Sequence, residues 1–463
     1  MRLQHTVIGA YWHETEQMWH VKIQKGHDPK AIIEDRANVF VNASGALNEA
    51  CRFSKWKWPL IEGRNSFKGT MLHTANWDSN VDIDGKRVAV IGSGSSAVQV
   101  VSSIQSSAET LKCFIRSPSW VTAGFAQRFA GEGGANFTYS ERQREILRSD
   151  PKKYLAYRKK IESELNSRFR FILNGSKEQQ QAKEFSEKDM RSRLARKPQI
   201  ADHLIPKNFP VGCRRPTPDN GFLEALCEPN VSVVTSAIKS ITPNGIKTVG
   251  DLEHGFDIII CATGFDVSWR PRFPTIGREG VNLDEYWSNT PETYLSIAVA
   301  NFPNYFIFNG PFGPYGHGSF IPITETISRY VMQMLAKMSQ EEIGSFAPLE
   351  EAVADFAEHR RAFLPRTAWT APCRSWFKQG TVDGEPMMWP GSRIHFLQTM
   401  QFPRWEDYRL KYLTSNRFAY LGNGFAVRET DGRDLSWYLG LLNGDDKQPE
   451  LDDEDFADFL LNT

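Results

Sequence analysis

The six cysteines of this 463-residue chain, Cys51, Cys113, Cys213, Cys227, Cys261 and Cys373, never fall two to four residues apart. That excludes a zinc knuckle and a CxxC redox pair, and with them a metal centre built on cysteine. It also excludes a disulfide reductase, whose chemistry needs a close cysteine pair. The spacing reads as isolated thiols in a reducing compartment, hence a cytoplasmic protein. Surplus charge is lacking too: 55 Lys and Arg balance 55 Asp and Glu. Nothing therefore draws the chain to nucleic acid or to an anionic membrane. No apolar run approaches the ~20 residues of a membrane span, and the first residues carry no apolar signal core. Internal repeats and low-complexity tracts are absent. What these absences leave is a protein of about two to four domains acting on small molecules.

The N-terminal sequence alternates like strand, with Trp12, Trp19, Val21 and Ile23 as half-buried or buried positions. Residues 36–43, RANVFVNA, read as one parallel strand covered on both faces. A connector rich in Trp, Pro and Gly follows. Residues 138–200 turn highly charged, with apolar residues at helical spacing, among them Ile146, Leu147, Tyr154, Leu155, Ile161, Leu165, Phe169 and Ile172. They predict an inserted helical segment whose charges are solvated faces. Further strands are expected at 230–235, 256–262 and 305–308. A helix begins near Thr324 with Ile327, Val331, Met334, Leu335 and Met338 on one face. The stretch from Asp445 is acidic and expected to be loosely held.

The strongest motif is VAVIGSGSSAVQVV, residues 88–101. It follows a short buried strand, opens a helix and precedes a second strand ending at Arg116, so it sits in a βαβ unit. Gly92 permits the tight turn, Gly94 lets the backbone approach a pyrophosphate, and Ala97 allows close helix–strand packing. The anion would rest on free N–H groups at the helix start, making Gly92, Ser93, Gly94, Ser95, Ser96, Ala97, Val98 and Gln99 the cradle. Where an NAD site wants a carboxylate, this chain offers Arg116 and Ser117. A guanidinium suits a 2′-phosphate, so the expected nucleotide is NADP.

The segment FKGTMLHTANWD, residues 67–78, says little on spacing alone; read so, His73 is a hydrogen-bonded structural histidine. It does, however, match the pattern FxGxxxHxxxW[P/D] at Phe67, Gly69, His73, Trp77 and Asp78. The chain here resembles the type I Baeyer–Villiger and FAD-binding monooxygenases, of the kind that tailor secondary metabolites. ASGAL at 43–47, CATGFD at 261–266, FPVGCRRPTPDNGF at 209–222, SWFKQGTVDGEPMMWPGS at 375–392 and LGNGF at 421–425 resemble further segments of that family, so the likeness runs from about residue 7 to 440.

The resemblance implies an α/β fold with two dinucleotide-binding domains, the NADP Rossmann domain inserted in the FAD domain. It places the remainder of the FAD domain and linker at 1–80, the NADP domain at 81–255 with its helical insert at about 138–205, and the return to the FAD domain at 256–463. It implies FAD and NADPH as cofactors and O2 as co-substrate, with one oxygen atom inserted beside a ketone carbonyl to give an ester or lactone. Arg215 takes the place of the active-site arginine, with Arg214 beside it. Phe67, Gly69 and His73 become conformational residues. Ser44, Gly45, Thr263 and Gly264, with Trp77 and Asp78, face the cofactors. Trp77-Asp78 argues against the related heteroatom-hydroxylating branch. The aromatic C-terminal half, with Trp369, Trp376 and Trp389, would suit a bulky apolar ketone, although such residues are more often core than pocket.

The family opens with an FAD-binding βαβ unit, and no strand–GxGxxG–helix precedes residue 92 here. The expectation is an N-terminally incomplete FAD domain, its missing part encoded upstream or supplied by a separate chain. The strands around Val41 and Ile259 would then lose a neighbour and expose an apolar edge. The alternatives are an N- or S-hydroxylating flavin monooxygenase and an inactive NADP-binding protein.

Overall fold

The structure, a computed structural model, describes residues 1–45, 47, 56, 58–124, 126–131, 136–219 and 221–448. Cys51, parts of the ASGAL and connector segments and the acidic stretch beyond 448 lie outside the described residues. The chain divides into two units, Met1–Met334 with Ser345–Leu410, and Leu335–Gly344 with Lys411–Thr463.

The first unit starts with an antiparallel meander, β1 (His5–His13), β2 (Met18–Lys25) and β3 (Ile32–Ala37). The alternation seen in the sequence turns Trp12, Trp19 and Val21 into one buried face. The Trp19 indole N–H donates to the Pro303 carbonyl at 2.8 Å, which satisfies the polar end of a fully buried ring. Residues 36–43 are not one strand. The antiparallel ladder ends at Ala37, and β4 (Phe40–Asn42) belongs to a separate sheet. β4 is parallel, as expected, but it is not covered on both faces: Val41 is 42% exposed.

Next come β5 (Thr70–His73), β6 (Arg87–Ile91), α1 (Ser95–Ile104) and β7 (Thr110–Phe114). The short β8 (Val121–Thr122) leads to the insert, which is helical as its spacing predicts: α2 (Glu141–Ser149), α3 (Pro151–Ser167), α4 (Lys177–Arg193) and α5 (Pro198–Leu204). Ser140 and Gln143 form a reciprocal capping box at the start of α2, and Asp150 caps α3, whose first residue is Pro151. After β9 (Thr217–Pro218) and α6 (Phe222–Cys227) runs β10 (Val231–Val234). The small antiparallel sheet of β11 (Ile238–Thr242), β12 (Gly245–Thr248) and β13 (Glu253–Gly255) precedes β14 (Ile258–Cys261).

One parallel sheet of order β10-β7-β6-β14-β5 gathers these strands. It takes in β5 and β14, which lie on either side of the 81–255 span. Ile259 sits between β5 and β6 and is fully buried. The expected exposed edge therefore does not occur at Ile259, because this strand belongs to the glycine-motif sheet and not to the sheet of Val41. Val88, Val90, Ala97, Val98, Val101 and Leu111 pack one core beneath it.

Three further elements complete what positions the site. β15 (Thr275–Ile276) adds parallel to β1, the short α7 (Leu283–Tyr286) buries Leu283, and β16 (Tyr305–Ile307) pairs parallel with β4. The helix expected near Thr324 is α8 (Ile321–Gln340), which buries Ile323, Ile327, Tyr330, Val331 and Met334. In the second unit Arg428 binds Asp446, donates to the Asp434 carbonyl at 2.7 Å and lies 4.5 Å from the Trp437 ring centroid. No helix among the described residues is long and apolar enough to cross a membrane.

Candidate functional site: a glycine cradle and an arginine-lined cavity

The glycine motif has the geometry its spacing predicts. Gly92 follows β6 at φ +131°, a region closed to most side chains, and a Cβ there would stand 2.5 Å from the Ala262 carbonyl oxygen. A Cβ at Gly94 would meet nothing within 4 Å, so the backbone is open where a pyrophosphate must approach. Ala97 and Val98 are fully buried against the sheet. Val98 is the first residue of α1 whose N–H closes back onto Gly94, at 3.0 Å, which leaves the preceding amides for an anion. Ser93 Oγ donates to the Ser117 carbonyl at 3.4 Å. Arg116 is exposed beyond β7 and makes no hydrogen bond or ion pair among the described residues. The residues present fit a dinucleotide phosphate.

Phe67, Gly69 and His73 are held by the same sheet. Phe67 packs among Ile241, Ile246 and Ile259. A Cβ at Gly69 would lie 2.4 Å from the Asp257 carbonyl, so only glycine lets this segment run against β14. His73 ends β5 opposite Cys261 and is almost wholly buried. Its Nδ1 accepts the Ala75 N–H at 3.1 Å, so the neutral ring carries its proton on Nε2, which faces Thr263 Oγ1 at 3.3 Å. The histidine thus ties two sequence motifs together through one side chain. Trp77 is 42% exposed, and Asp78 accepts hydrogen bonds from Asn80. Gly264 adopts φ +86° just past β14.

Two adjoining cavities lie beside β4 and β16. One, of about 390 Å³, is walled by Phe40, Val41, Ser44, Arg270 and Phe273. The other, of about 380 Å³, is walled by Arg215, Tyr315, His317, Phe320, Ile323 and Trp376. Ala43, Gly45, Trp269, Phe308 and Asn309 line both. The strand-end segment at 43–45 therefore stands at their junction. Arg215 is exposed to the second cavity and has no ion pair or hydrogen bond among the described residues; partial burial pushes its pKa below the usual arginine value. Arg214 is half-buried over the Phe209 ring, 5.4 Å away, its pKa lowered by burial and by Arg374.

Tyr315, whose pKa burial raises, lies 3.2 Å from Ser296 Oγ and also bonds the Gly310 carbonyl. His317 accepts the Arg393 backbone N–H at 3.0 Å, and burial together with Arg393 pulls its pKa down to about 4. Both belong to NGPFGPYGHGS, the glycine-rich loop between β16 and α8. Of the three C-terminal tryptophans, Trp369 and Trp389 are core, 1% and 2% exposed, whereas Trp376 lines the cavity. Thr217 was not foreseen: its hydroxyl lies 2.9 Å from Ser95 Oγ and joins the arginine segment to the first turn of α1.

One reading of the sequence is overturned. The cysteines are not all isolated thiols, because Cys213 and Cys373 form a disulfide with Cα atoms 6.3 Å apart. Their separation of 160 residues hides the pair from any local motif. Cys113, Cys227 and Cys261 are free and buried, and burial pushes the Cys113 and Cys261 thiols up to about 12.

The sequence profile described as flavin-binding monooxygenase-like matches residues 18–193. An FAD-binding monooxygenase of Aspergillus terreus, tazF, is 40% identical over 440 residues, 94% of this chain and 76% of that protein. A Baeyer-Villiger monooxygenase of Pseudomonas aeruginosa is 28% identical over 91% of this chain and 75% of its own length. Among solved structures, cyclohexanone monooxygenase from Rhodococcus sp. Phi1 bound to NADP+ superposes with a TM-score of 0.72 at 25% identity, covering 88% of this chain and 80% of that one. The likeness shows the flavoprotein fold with two dinucleotide-binding domains, and the chain belongs to the FAD-binding monooxygenase family.

Proposed function

We propose that this protein uses NADPH, FAD and O2 to insert one oxygen atom beside the carbonyl of an apolar ketone, yielding an ester or lactone. The observation that carries the reading is Arg215, a guanidinium with no counter-ion among the described residues, on the wall of a mainly apolar and aromatic cavity. When bound, NADPH supplies the reducing equivalents and FAD the activation of O2.

The chain's own groups account for the rest. The open backbone at Gly94 and the amides of Ser95 and Ser96 hold the pyrophosphate. Arg116 and Ser117 take the 2′-phosphate. Ser44 and Gly45, with Thr263 and Gly264 across from His73, face the flavin cofactor. Arg215 keeps its proton throughout the working pH range and stabilises the oxyanion that develops on the ketone oxygen. Trp269, Phe308, Phe320 and Trp376 keep the reacting groups out of water. His317 stays neutral near pH 7, so the cavity holds the arginine charge without a competing imidazolium. A cavity of about 380 Å³ walled by rings suits a polycyclic or aromatic ketone, in keeping with a tailoring role in secondary metabolism.

The test is turnover of purified protein with added FAD, NADPH, isotopically labelled O2 and a panel of cyclic and aryl ketones. The expected result is ketone-dependent NADPH oxidation with one labelled oxygen in the ester. NADPH binding with no ketone-dependent turnover across the panel, or a product lacking the label, defeats the reading.

A further inference from the structure

We propose that the Cys213–Cys373 disulfide is a positioning device that sets the distance between Arg215 and Trp376 across the cavity. The inference rests on the role given to Arg215 above. Arg215 lies two residues after Cys213, and Trp376 lies three residues after Cys373. Both side chains line the same cavity. The covalent link therefore spans the base of two cavity walls, and its sulfurs are sealed in the core, Cys213 at 0% and Cys373 at 2% exposure.

The two joined segments differ in how they are held. The Cys373 side is a tightly tied loop. Lys378, 1% exposed, sends its ammonium to the Ala371 carbonyl at 2.6 Å and to the Val382 carbonyl. Ser375 Oγ accepts the Phe377 N–H at 3.2 Å, and Thr381 Oγ1 donates to the Lys378 carbonyl at 2.7 Å. The arginine side is irregular from residue 205 to 216. Neither arginine is fixed by an ion pair of its own among the described residues, and Arg374 stands close enough to repel Arg214. The arginines are bracketed instead by the disulfide at Cys213 on one side and, on the other, by Thr217, which pairs with β8 and contacts Ser95 at 2.9 Å. An unpaired guanidinium in an apolar wall would otherwise swing toward water, so a covalent tether close by substitutes for the counter-ion that would spoil its charge.

Three measurements on the full-length protein test this. Alkylation under denaturing conditions, followed by peptide mass mapping, should leave Cys213 and Cys373 unmodified until a dithiol reduces the bond to two thiols and is itself oxidised to its disulfide. Hydrogen exchange, with no cofactor needed, should then show the amides of residues 212–215 and 217 opening faster in Cys213→Ser/Cys373→Ser, or in the reduced native protein, while the β6 and α1 amides keep their protection. Ketone oxygenation should fall by about 10²-fold in kcat, the scale of a misplacement near 1 Å. Removing the disulfide in an Arg215→Ala background should add little, because both changes disable the same group.

Free thiols at both positions in the native protein overturn the proposal. So does unchanged exchange at 212–215 and 217, or exchange raised throughout the chain, which marks a merely structural bond. Losses that multiply in the triple variant do the same. If Arg215→Ala itself oxygenates ketones at the normal rate, the role of Arg215 fails, and the exchange result still judges the tether separately.

Discussion

The nucleotide cradle runs without a break from Arg87 to Ile104, whereas the Arg215 cavity collects its walls from residues as far apart as Ala43 and Trp376. In the cradle, the order of the chain itself sets out the site: a strand delivers Gly92, a left-handed turn reverses the chain, and α1 presents its first amides. In the cavity, no two neighbouring residues explain one another. Arg215 comes from an irregular segment, Trp269 from the chain after CATGFD, Tyr315 and His317 from a glycine-rich loop, and Trp376 from beyond a disulfide. A site made locally tolerates changes elsewhere in the chain. A site assembled from distant segments depends on the fastenings between them.

The sharpest way to break the contrast is Arg215→Ala. Ester formation should fall by about 10²- to 10³-fold, the usual effect of losing one preorganised group at a developing oxyanion. The dissociation constant for NADPH should stay within about twofold, since the cradle shares no hydrogen bond with Arg215. Rapid-quench product assays and a fluorescence titration of NADPH measure the two quantities. Equal losses in both would mean that the two regions are one site.

The same contrast explains what could be seen in the sequence. The βαβ unit, the helical insert and α8 follow from periodicity and glycine placement, because those signals act within a turn or two of chain. The break of 36–43 into β3 and β4 did not follow, since apolar character alone cannot show where a ladder partner ends. The placement of Ile259 in the cradle's sheet depends on pairing with Met71 and Ala89, two segments far away in sequence. Arg215 was found through resemblance and not through spacing. Thr217, Tyr315, His317 and the Cys213–Cys373 bond carry no local signature, because each has a partner well away in the chain: Ser95, Ser296, Arg393 and the other cysteine.

A milder change probes the nucleotide site just beyond the cradle, where β7 ends. Arg116→Ala should weaken NADPH binding by about tenfold or somewhat more, the worth of charge-assisted hydrogen bonds to a phosphate. NADH, lacking that phosphate, should bind as before. The ratio of the two dissociation constants is the reading to take, because a general loss of folding would lower both affinities together. An unchanged ratio would remove Arg116 from the 2′-phosphate site and leave the choice of NADP to other residues.

The smallest expected effect lies under the cradle, where Arg87 at the start of β6 holds Asp257 just before β14. The guanidinium reaches one carboxylate oxygen at 2.7 Å and the other at 3.1 Å, and the Arg87 backbone N–H adds a bond of 2.9 Å. These bonds bring the Asp257 pKa down to about 2. A carboxylate whose pKa is lower folded than unfolded adds stability above the unfolded value, near 4, and loses it as the pH falls toward 2. Asp257 and Arg87 are both well exposed, 39% and 49% of their side chains, so solvent screens the pair and its contribution is small. Asp257→Asn should therefore lower the melting temperature slightly at pH 7. It should also flatten the fall in stability between pH 4 and pH 2, followed by circular dichroism. If the two proteins lose stability in parallel over that window, the strand-end ion pair does not set the acid limb, and the coupling of β6 to β14 rests on the ladder alone.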